Sequence, residues 1–449
     1  MTDTTDLHLL GATDAAEATR NGAISAVDYV GACLARIAEV DELVQAWAFI
    51  DPDYALEQAR LLDEHRAQGM PLGRLHGVPV ALKDIIDTED MPTENGSVLH
   101  AGRRPPEDAT IVRRLRAEGA VIIGKTVTTE FATFAPGKTR NPRNLEHTPG
   151  GSSSGSAAAV AAAMVPLAIG TQTNGSVIRP AAYCGVYGYK PTFGLVPRDG
   201  ILKQSRPLDH VGFFARSVED LAIIAEPLIG YDERDPDTRP IARPNLREVA
   251  MQEPPLPPVF AFTKTPNWDD AEEQTRLAFD EVAQALGEQS RPFNVPSLFR
   301  DAWEWLRTIM EADLARNYRE FYERGRDRLS ESLRGQIERG RQVTAVDYND
   351  AVDRIKATSE AFDEVFDRCD VLLTAATAGP APRGLESTGS PAFCTLWTFA
   401  GMPAVTLPLL RAENGMPMGI QLVGRRGDDA RLLRTARWLA GWAAKLDAS

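Results

Sequence analysis

The chain has 449 residues, of which 25% are charged and 43% hydrophobic, values that are typical of a globular enzyme and exclude a disordered or fibrous protein. Because a net charge of −14 repels phosphate groups, we expect neither nucleic acid nor an anionic membrane as a partner. The sequence contains no apolar stretch long enough to span a bilayer and begins with a polar, acidic segment, so a cytoplasmic protein is expected.

The first part of the chain predicts helices that alternate with strands. Ser25 to Asp28 resembles a capping box and begins an amphipathic helix. A short apolar run that ends at Lys83 predicts a strand, and a helix from about Ala109 to Glu118 leads to a second strand, Ala120 to Lys125.

A Gly/Ser run occupies residues 150–156, with the sequence Gly-Gly-Ser-Ser-Ser-Gly-Ser. A flexible linker of this composition would continue into polar, low-complexity sequence. Here an alanine-rich run of helix formers follows, and then an apolar strand from Leu167 to Thr171. The run therefore predicts a structured site, in which glycine lets backbone N–H groups approach a ligand closely.

Further apolar strands are predicted downstream, separated by helical patterns. They are expected at Val259 to Thr263, Val371 to Thr374, Ala404 to Leu407 and Gly419 to Val423. The alternation predicts an α/β fold with a mixed, mostly parallel central sheet and helices on both of its faces.

The predicted organisation is a single domain over residues 1–449. A proline-rich stretch at 232–258 is expected to be an exposed connection, and the charged, helix-periodic sequence after it predicts a helical insert or cap over about 232–368. The catalytic core is then expected at about 70–215 together with 369–445. The aromatic residues of the insert are interpreted as core, because helical spacing is typical of core positions.

The cysteines give no sign of a metal centre. Cys33, Cys184, Cys369 and Cys394 are scattered, without a C-x-x-C pair or nearby histidines at ligand spacing. We therefore expect lone buried thiols, no disulfide framework and no metal.

A second serine loop, Thr173-Asn174-Gly175-Ser176, suggests that two serines share one site. A serine hydroxyl needs a base to become a nucleophile. None of the six histidines is accompanied by a Gly-x-Ser-x-Gly elbow, although a Ser-His-Asp site assembled from distant residues stays open. Lys83 can serve instead if burial keeps it neutral, the alternative being a solvated charge at the end of a strand.

These segments together resemble the amidase signature family. The resemblance rests on Lys83, the run at 150–156 and the segment from Asn174 to Pro180, and the spacing from Ser152 to Ser176 matches that of the family. It extends over most of the chain except 232–368, and among family members the motifs look most like those of malonamidase-type enzymes with small substrates.

The resemblance implies a role for each matching residue. Ser176 would be the nucleophile, Ser152 a bridging serine on a cis peptide bond, and Lys83 the base at the end of the relay. The backbone N–H groups of Thr173, Asn174, Gly175 and Ser176 would form the oxyanion hole, and no metal or organic cofactor is implied.

Three further residues, Gly151, Gln172 and Arg179, are predicted to contact the substrate, although for Arg179 bracing of the loop is the favoured role. The family usually has glycine where this chain has Asn174. Because Asn tolerates left-handed backbone geometry better than other non-glycine residues, the loop is expected to survive, with a side chain that narrows the acyl pocket or adds a hydrogen bond. An aromatic-tolerant pocket is hypothesised near Phe393 to Ala400, with Trp397 and Phe399 in its wall.

The predicted function is hydrolysis of a C–N acyl bond in a small-molecule amide, anilide or carbamate, through an acyl-enzyme, by a monomer or homodimer. A carbamate substrate would make the enzyme a urethanase. The alternative is the glutaminase subunit of a transfer-RNA amidotransferase, whose sequences typically read Arg-Gln-Pro where this chain has Arg179-Pro180. A non-catalytic scaffold is a third interpretation.

Overall fold

The fold is built on one twisted sheet, described here from a computed structural model over residues 4–447. Eleven strands of that range are hydrogen-bonded in the order β1-β3-β2-β4-β6-β5-β10-β11-β9-β7-β8. The strands are β1 (Trp47–Ile50), β2 (Pro79–Lys83), β3 (Val121–Thr126), β4 (Leu167–Gln172), β5 (Tyr187–Lys190), β6 (His210–Ala215), β7 (Phe260–Lys264), β8 (Ser290–Asn294), β9 (Val371–Ala375), β10 (Ala404–Arg411) and β11 (Pro417–Val423).

The sheet is mixed, as predicted, but antiparallel pairs outnumber parallel ones. Strands β3, β2 and β4 are parallel at one side, and β9, β7 and β8 are parallel at the other. The six remaining pairings, which include the whole centre of the sheet, are antiparallel. The expectation of a mostly parallel sheet is thus wrong in this detail, because short connections such as the turn between β10 and β11 return the chain beside itself.

Sixteen α-helices are described. They are α1 (Ala12–Asn21), α2 (Ala26–Val44), α3 (Pro52–Ala67), α4 (Thr110–Ala117), α5 (Ser154–Ala161), α6 (Ile178–Cys184), α7 (Val218–Leu228), α8 (Leu246–Met251), α9 (Glu273–Leu286), α10 (Ala302–Asn317), α11 (Arg319–Gly325), α12 (Glu331–Gly340), α13 (Ala345–Ala361), α14 (Asp363–Phe366), α15 (Ala392–Phe399) and α16 (Asp429–Asp447). Short 3-10 helices lie at Thr4–Leu9, Val98–His100, Glu130–Ala132, Trp268–Asp270, Gly287–Gln289, Ser297–Asp301 and Arg326–Arg328.

Helices cover both faces of the sheet. Successive residues of a strand point to opposite faces, and in β2 the side chains of Val80 and Leu82 enter one apolar cluster while Ala81 enters another. The first cluster contains residues of α4, α7 and α16, and the second contains residues of α2, α5 and α6. Strand β2 is therefore buried along its whole length, and its last residue, Lys83, reaches the edge of the sheet without contacting bulk solvent.

The segment 232–368 contributes strands as well as helices. Strands β7 and β8 extend the sheet beyond β9, whereas α10, α12 and α13 pack together around an apolar cluster that also holds Phe131, Leu208 and Phe399. Helix α10 contacts α15 as well. These helices thereby lie over the part of the sheet from which the serine loops emerge, and the division into core and insert remains a prediction.

Two further expectations from the sequence can be compared with the fold. All four cysteines are free and buried, as predicted. Within residues 4–447 we find no helix that has both the length and the apolar character needed to cross a bilayer.

Candidate active site

Lys83 is fully buried at the end of β2. Its Nζ donates hydrogen bonds to Ser152 Oγ at 2.7 Å and to Thr171 Oγ1 at 2.8 Å. Burial lowers the pKa of Lys83 well below its usual value, and the charge of Asp209 opposes this shift only in part. A lysine in this setting can lose its proton and act as a base near neutral pH.

The Gly/Ser run 150–156 is an ordered turn that leads into α5. The Gly151–Ser152 peptide bond is cis. The three other serines of the run bind backbone carbonyls of neighbouring strands and loops: Ser153 Oγ donates to Thr171 O, Ser154 Oγ to Val127 O and Ser156 Oγ to Ile169 O. The hydroxyl of Ser152 differs from these because it contacts a titratable side chain.

The loop between β4 and α6 presents unpaired backbone donors. In the described range, the N–H groups of Asn174, Gly175 and Ser176 donate to no protein acceptor. Gly175 has no room for a side chain, since a Cβ there would lie 2.8 Å from Pro391 Cβ. Unpaired N–H groups of successive residues in one loop are suited to a developing oxyanion.

Asn174 is not among the residues with positive φ, so the loop does not require left-handed geometry of it. Its side chain is instead fixed by a hydrogen bond in which Thr395 Oγ1 donates to Asn174 Oδ1 at 2.7 Å. The side chain of Asn174 is thus fixed to α15 by this hydrogen bond.

Ser176 is partly exposed and lines a narrow cavity with Asn174 and Gly175. No hydrogen bond within residues 4–447 joins Ser176 Oγ to Ser152 Oγ. Catalytic hydrogen bonds often shorten only when substrate is bound. The structure thus joins Lys83 to Ser152 directly, and brings Ser176 to the surface that a substrate can reach.

Arg179 ties the two serine loops together. Its guanidinium donates to Gly151 O and to Gly389 O, each at 2.7 Å, and the side chain is fully buried. These contacts are those of a brace, the role favoured from sequence, although Arg179 also borders the cavity beside Ser176. The carbonyl of Gly151 is occupied by this contact.

Gln172 braces the start of α6. Its Oε1 accepts hydrogen bonds from the N–H groups of Val177 and Ile178, and its Nε2 donates to Thr398 Oγ1 at 2.8 Å. The side chain is buried and does not border the cavity. We therefore correct the predicted substrate contact to a structural one, since both ends of the amide are already bonded.

Asp209 anchors the oxyanion loop from behind. Its carboxylate accepts from Thr173 Oγ1 at 2.7 Å and from the N–H groups of Gln204 and Ser205 at 2.9 and 3.0 Å. Burial raises the pKa of Asp209 to about 6, so the group is ionised at neutral pH. Its charge is the one that acts on Lys83. The sequence offered no motif for this residue.

The cavity beside Ser176 has a narrow inner part of about 20 Å³ and a wider outer part of about 150 Å³. The two parts share Phe134, Asn174, Met310 and Gln336. Met310 lies on α10 and Gln336 on α12, so the segment 232–368 supplies residues to the cavity. Neither residue was singled out from the sequence.

The aromatic pocket expected around Trp397 is wrong. Trp397 is fully buried and packs edge-on against Phe362 with ring centroids 5.4 Å apart. The aromatic side chains that border the cavity are Phe134 and Trp303. The reason is that α15 directs Trp397 into the apolar cluster between β7, β9 and α14, away from the serine loops.

Other buried groups do not duplicate the site. Lys125 and Lys190 are also buried, but neither contacts a serine: Lys125 donates to Ile86 O and Thr93 Oγ1, and Lys190 donates to the carbonyls of Pro191 and Met402. Across the described residues no cluster of His, Cys, Asp and Glu could hold a metal ion.

Comparison with known proteins gives a consistent match over nearly the whole chain. The Amidase family model matches residues 28–433. A glutamyl-tRNA(Gln) amidotransferase subunit from Chloroflexus aurantiacus is 36% identical, with 96% of each chain covered.

Solved structures match equally far. A chain of a structure described as a vestigial protein complex that reveals the origins of an s-triazine catabolic enzyme has a TM-score of 0.90 and 28% identity, over 96% of this chain and 98% of that one. The native peptide amidase of Stenotrophomonas maltophilia has a TM-score of 0.84 and 29% identity over 97% of each chain.

Proposed function

The chain belongs to the amidase family and is an enzyme of the class that acts on C–N bonds, and we propose that it hydrolyses a carboxamide by transferring the acyl group to Ser176. The observation that carries the proposal is the contact between Lys83 Nζ and Ser152 Oγ in surroundings that lower the pKa of the lysine. Ser153, Ser154 and Ser156 donate to backbone carbonyls, which is a structural role. Ser152 instead contacts a buried amine, and we assign this contact to catalysis.

In the proposed first step, a proton moves from Ser176 to Ser152 and from Ser152 to Lys83. Neutral Nζ has two N–H groups and one lone pair. One N–H can bind Thr171 Oγ1, which leaves the lone pair for the proton of Ser152. Ser176 Oγ then attacks the substrate carbonyl while its proton leaves, so the bond forms without a free alkoxide.

The tetrahedral oxygen would be stabilised by the N–H groups of Asn174, Gly175 and Ser176, with that of Thr173 proposed as a fourth donor. Each such donor is commonly worth about 3 to 4 kcal/mol of barrier. Ser152 returns a proton to the leaving nitrogen as the C–N bond breaks, and is itself reprotonated by Lys83. Water then attacks the Ser176 ester by the reverse relay, and the acid product leaves.

The setting favoured by the curated relatives is that of a glutaminase subunit. Their similarity covers 96% of each chain, and their name describes a subunit of a tRNA amidotransferase. In that setting glutamine is the amide, and partner subunits receive the ammonia. The net charge of −14 supports contact with tRNA through those partners and not through this chain.

A second candidate is a free-standing cytoplasmic amidase for a small amide, anilide or carbamate, as a monomer or homodimer. It is supported by Ile178-Arg179-Pro180, which departs from the Arg-Gln-Pro of the amidotransferase subunits and, with Gln172, resembles malonamidase-type enzymes. The similarity to a peptide amidase also supports it. A carbamate substrate would yield an alcohol and carbon dioxide together with the amine.

The two settings separate in one experiment. The purified chain is given glutamine, simple aliphatic amides, anilides and carbamates, and ammonia or amine release is measured beside the Ser176→Ala variant. Turnover of small amides by the chain alone supports the free-standing enzyme. Turnover of glutamine that appears only with amidotransferase partner subunits supports the glutaminase, and full activity of Ser176→Ala overturns the proposal in both settings.

A further inference from the structure

Three residues that border the cavity beside Ser176 have a side-chain polar atom without a partner. The atoms are Asn174 Nδ2, a donor, Gln336 Oε1, an acceptor, and Arg179 Nε, a donor, and all three are buried and make no hydrogen bond. The other two nitrogens of Arg179 bind Gly151 O and Gly389 O, whereas the Asn174 and Gln336 atoms are the whole free ends of their amides. The side chains of Asn174 and Gln336 are 5% and 3% exposed. Because buried polar groups in folded proteins are nearly always bonded, an unpaired donor and an unpaired acceptor in one cavity indicate that a ligand completes them.

The side chains of Asn174 and Gln336 are each held in place by a hydrogen bond at the other end of the amide. Asn174 Oδ1 accepts from Thr395 Oγ1 at 2.7 Å, and Gln336 Nε2 contacts Ser332 O at 3.3 Å and Ser332 Oγ at 3.4 Å. Each amide therefore has one bonded end and one free end. Asn174 and Gln336 border both the inner and the outer part of the cavity, so the two residues lie at the junction of the parts.

The charged residues that border the cavity are Arg179 in the inner part and Arg307, Glu311 and Arg339 in the outer part. Glu311 is nearly buried, and Arg339 Nε donates to its two carboxylate oxygens at 3.0 and 3.1 Å. Arg307 Nη1 lies 3.9 Å from Glu311 Oε2. These three residues do not border the inner part beside Ser176. The Arg179 guanidinium in the inner part is already bound to two backbone carbonyls, so the free ends of Asn174 and Gln336, which are uncharged, are the groups left to a substrate.

We propose, on the basis of the free-standing amidase proposed above, that Asn174 and Gln336 recognise a second amide-like group in the acyl portion of the substrate. Asn174 Nδ2 donates to the carbonyl oxygen of that group, and the N–H of the group donates to Gln336 Oε1. A carboxamide or ureido group presents this pair of atoms, whereas a hydrocarbon group of the same shape leaves both protein atoms unpaired. Sites of this kind discriminate strongly against the analogue that lacks the hydrogen-bonding group.

The test compares two isosteric amides, succinamide and 4-methylpentanamide, in which an isopropyl group replaces the second carboxamide. The measurement is the ratio of their kcat/KM values, which does not depend on the fraction of enzyme that is folded. We expect the wild-type enzyme to prefer succinamide by at least about tenfold beyond the factor of two for its two equivalent amides.

Gln336→Met removes the acceptor at similar volume, and Asn174→Leu removes the donor while Thr395 Oγ1 keeps Pro391 O as its acceptor. Each variant is expected to lower the ratio about tenfold. Gln342→Met, at an exposed position, is the matched control and leaves the ratio unchanged.

A wild-type ratio that does not exceed the statistical factor of two, or a ratio that neither cavity variant changes, overturns the inference while the turnover itself upholds the proposed function. If the wild-type enzyme hydrolyses neither amide, the inference is also overturned. Labelling of Ser176 by a fluorophosphonate then tells whether the proposed function fails with it.

Discussion

Lys83 Nζ and Ser152 Oγ lie 2.7 Å apart although 69 positions separate the two residues in the chain. The contact joins the end of a buried strand to the turn that begins α5. Because Lys83 is fully buried, the lysine is driven toward its neutral form, in which it can accept a proton from the serine.

The serines of the 150–156 run provide a matched pair for testing this contact. Ser152→Ala removes the hydroxyl that binds Lys83, and we expect kcat to fall by about 10²- to 10⁴-fold, the usual contribution of proton transfer. Ser154→Ala removes a hydroxyl that binds only Val127 O, and is expected to lower the free energy of unfolding by about 1 kcal/mol with little change in kcat. Steady-state kinetics and thermal unfolding of both variants check this. Equal losses of kcat in the two variants would contradict a special role for Ser152.

The pH dependence of kcat/KM follows from Lys83. Only neutral lysine can accept the proton, so kcat/KM rises with pH as Lys83 is deprotonated. Asp209, ionised above its own pKa of about 6, raises the pKa of Lys83, and Asp209→Asn is therefore expected to move the acidic limb to lower pH.

Lys190 is the control, because burial brings its pKa to about 7 although it binds only backbone carbonyls. Lys190→Met is expected to keep the acidic limb where it is. If the acidic limb disappears in Lys190→Met and does not move in Asp209→Asn, the titrating group is Lys190, and the assignment of the limb to Lys83 is contradicted.

Arg179 is predicted to stabilise the site and not to bind a substrate carboxylate. Arg179→Lys cannot reach both Gly151 O and Gly389 O, so the loss of one charged hydrogen bond is expected to cost about 1.5 to 3 kcal/mol of the free energy of unfolding. Because the oxyanion loop is loosened for every substrate, kcat should fall similarly for neutral and acidic amides. A rise in KM confined to acidic substrates would contradict the bracing role.

Gly175 is predicted to be irreplaceable. A methyl group at this position meets Pro391 at 2.8 Å and pushes the oxyanion loop away, so Gly175→Ala is expected to lower kcat by about 10²- to 10³-fold. Gly441→Ala is the control, since the added Cβ has no atom within 4 Å and α16 gains about 0.5 to 1 kcal/mol of stability. Kinetics and unfolding midpoints of both variants measure the difference. Full activity of Gly175→Ala would remove the N–H groups of this loop from the mechanism.

The sequence predicted the buried strands well because their signal is local. An apolar run bounded by turn residues identifies β2, β3, β4 and β9 to within about two residues. Strand β8 was missed because it is an exposed edge strand that contains Arg291 and Pro292, a composition tolerated only at an edge. Strands β5 and β6 were not predicted, and each contains a glycine where a Cβ would collide with a neighbouring side chain, Ala181 in one case and Val177 in the other.

The candidate site divides in the same way. Lys83, Ser152 and Ser176 are found from motifs and spacing, because each lies in a short segment with an unusual local sequence. Asp209, Gln336 and Met310 are brought to the site only by tertiary packing, and a lone aspartate or a glutamine on a helix gives no local signal. For Gln172 the local sequence gave a wrong signal. Its position beside the loop suggested substrate contact, but its Oε1 accepts the N–H groups of Val177 and Ile178 at the start of α6.

The most direct test of the account is covalent labelling with a fluorophosphonate, followed by intact mass and peptide mapping. We predict one adduct per chain, on Ser176, that is absent from Ser176→Ala and forms about 10²- to 10⁴-fold more slowly in Lys83→Met. An adduct on another residue, or amide turnover by Ser176→Ala at the wild-type rate, would contradict the proposed nucleophile and the relay that activates it.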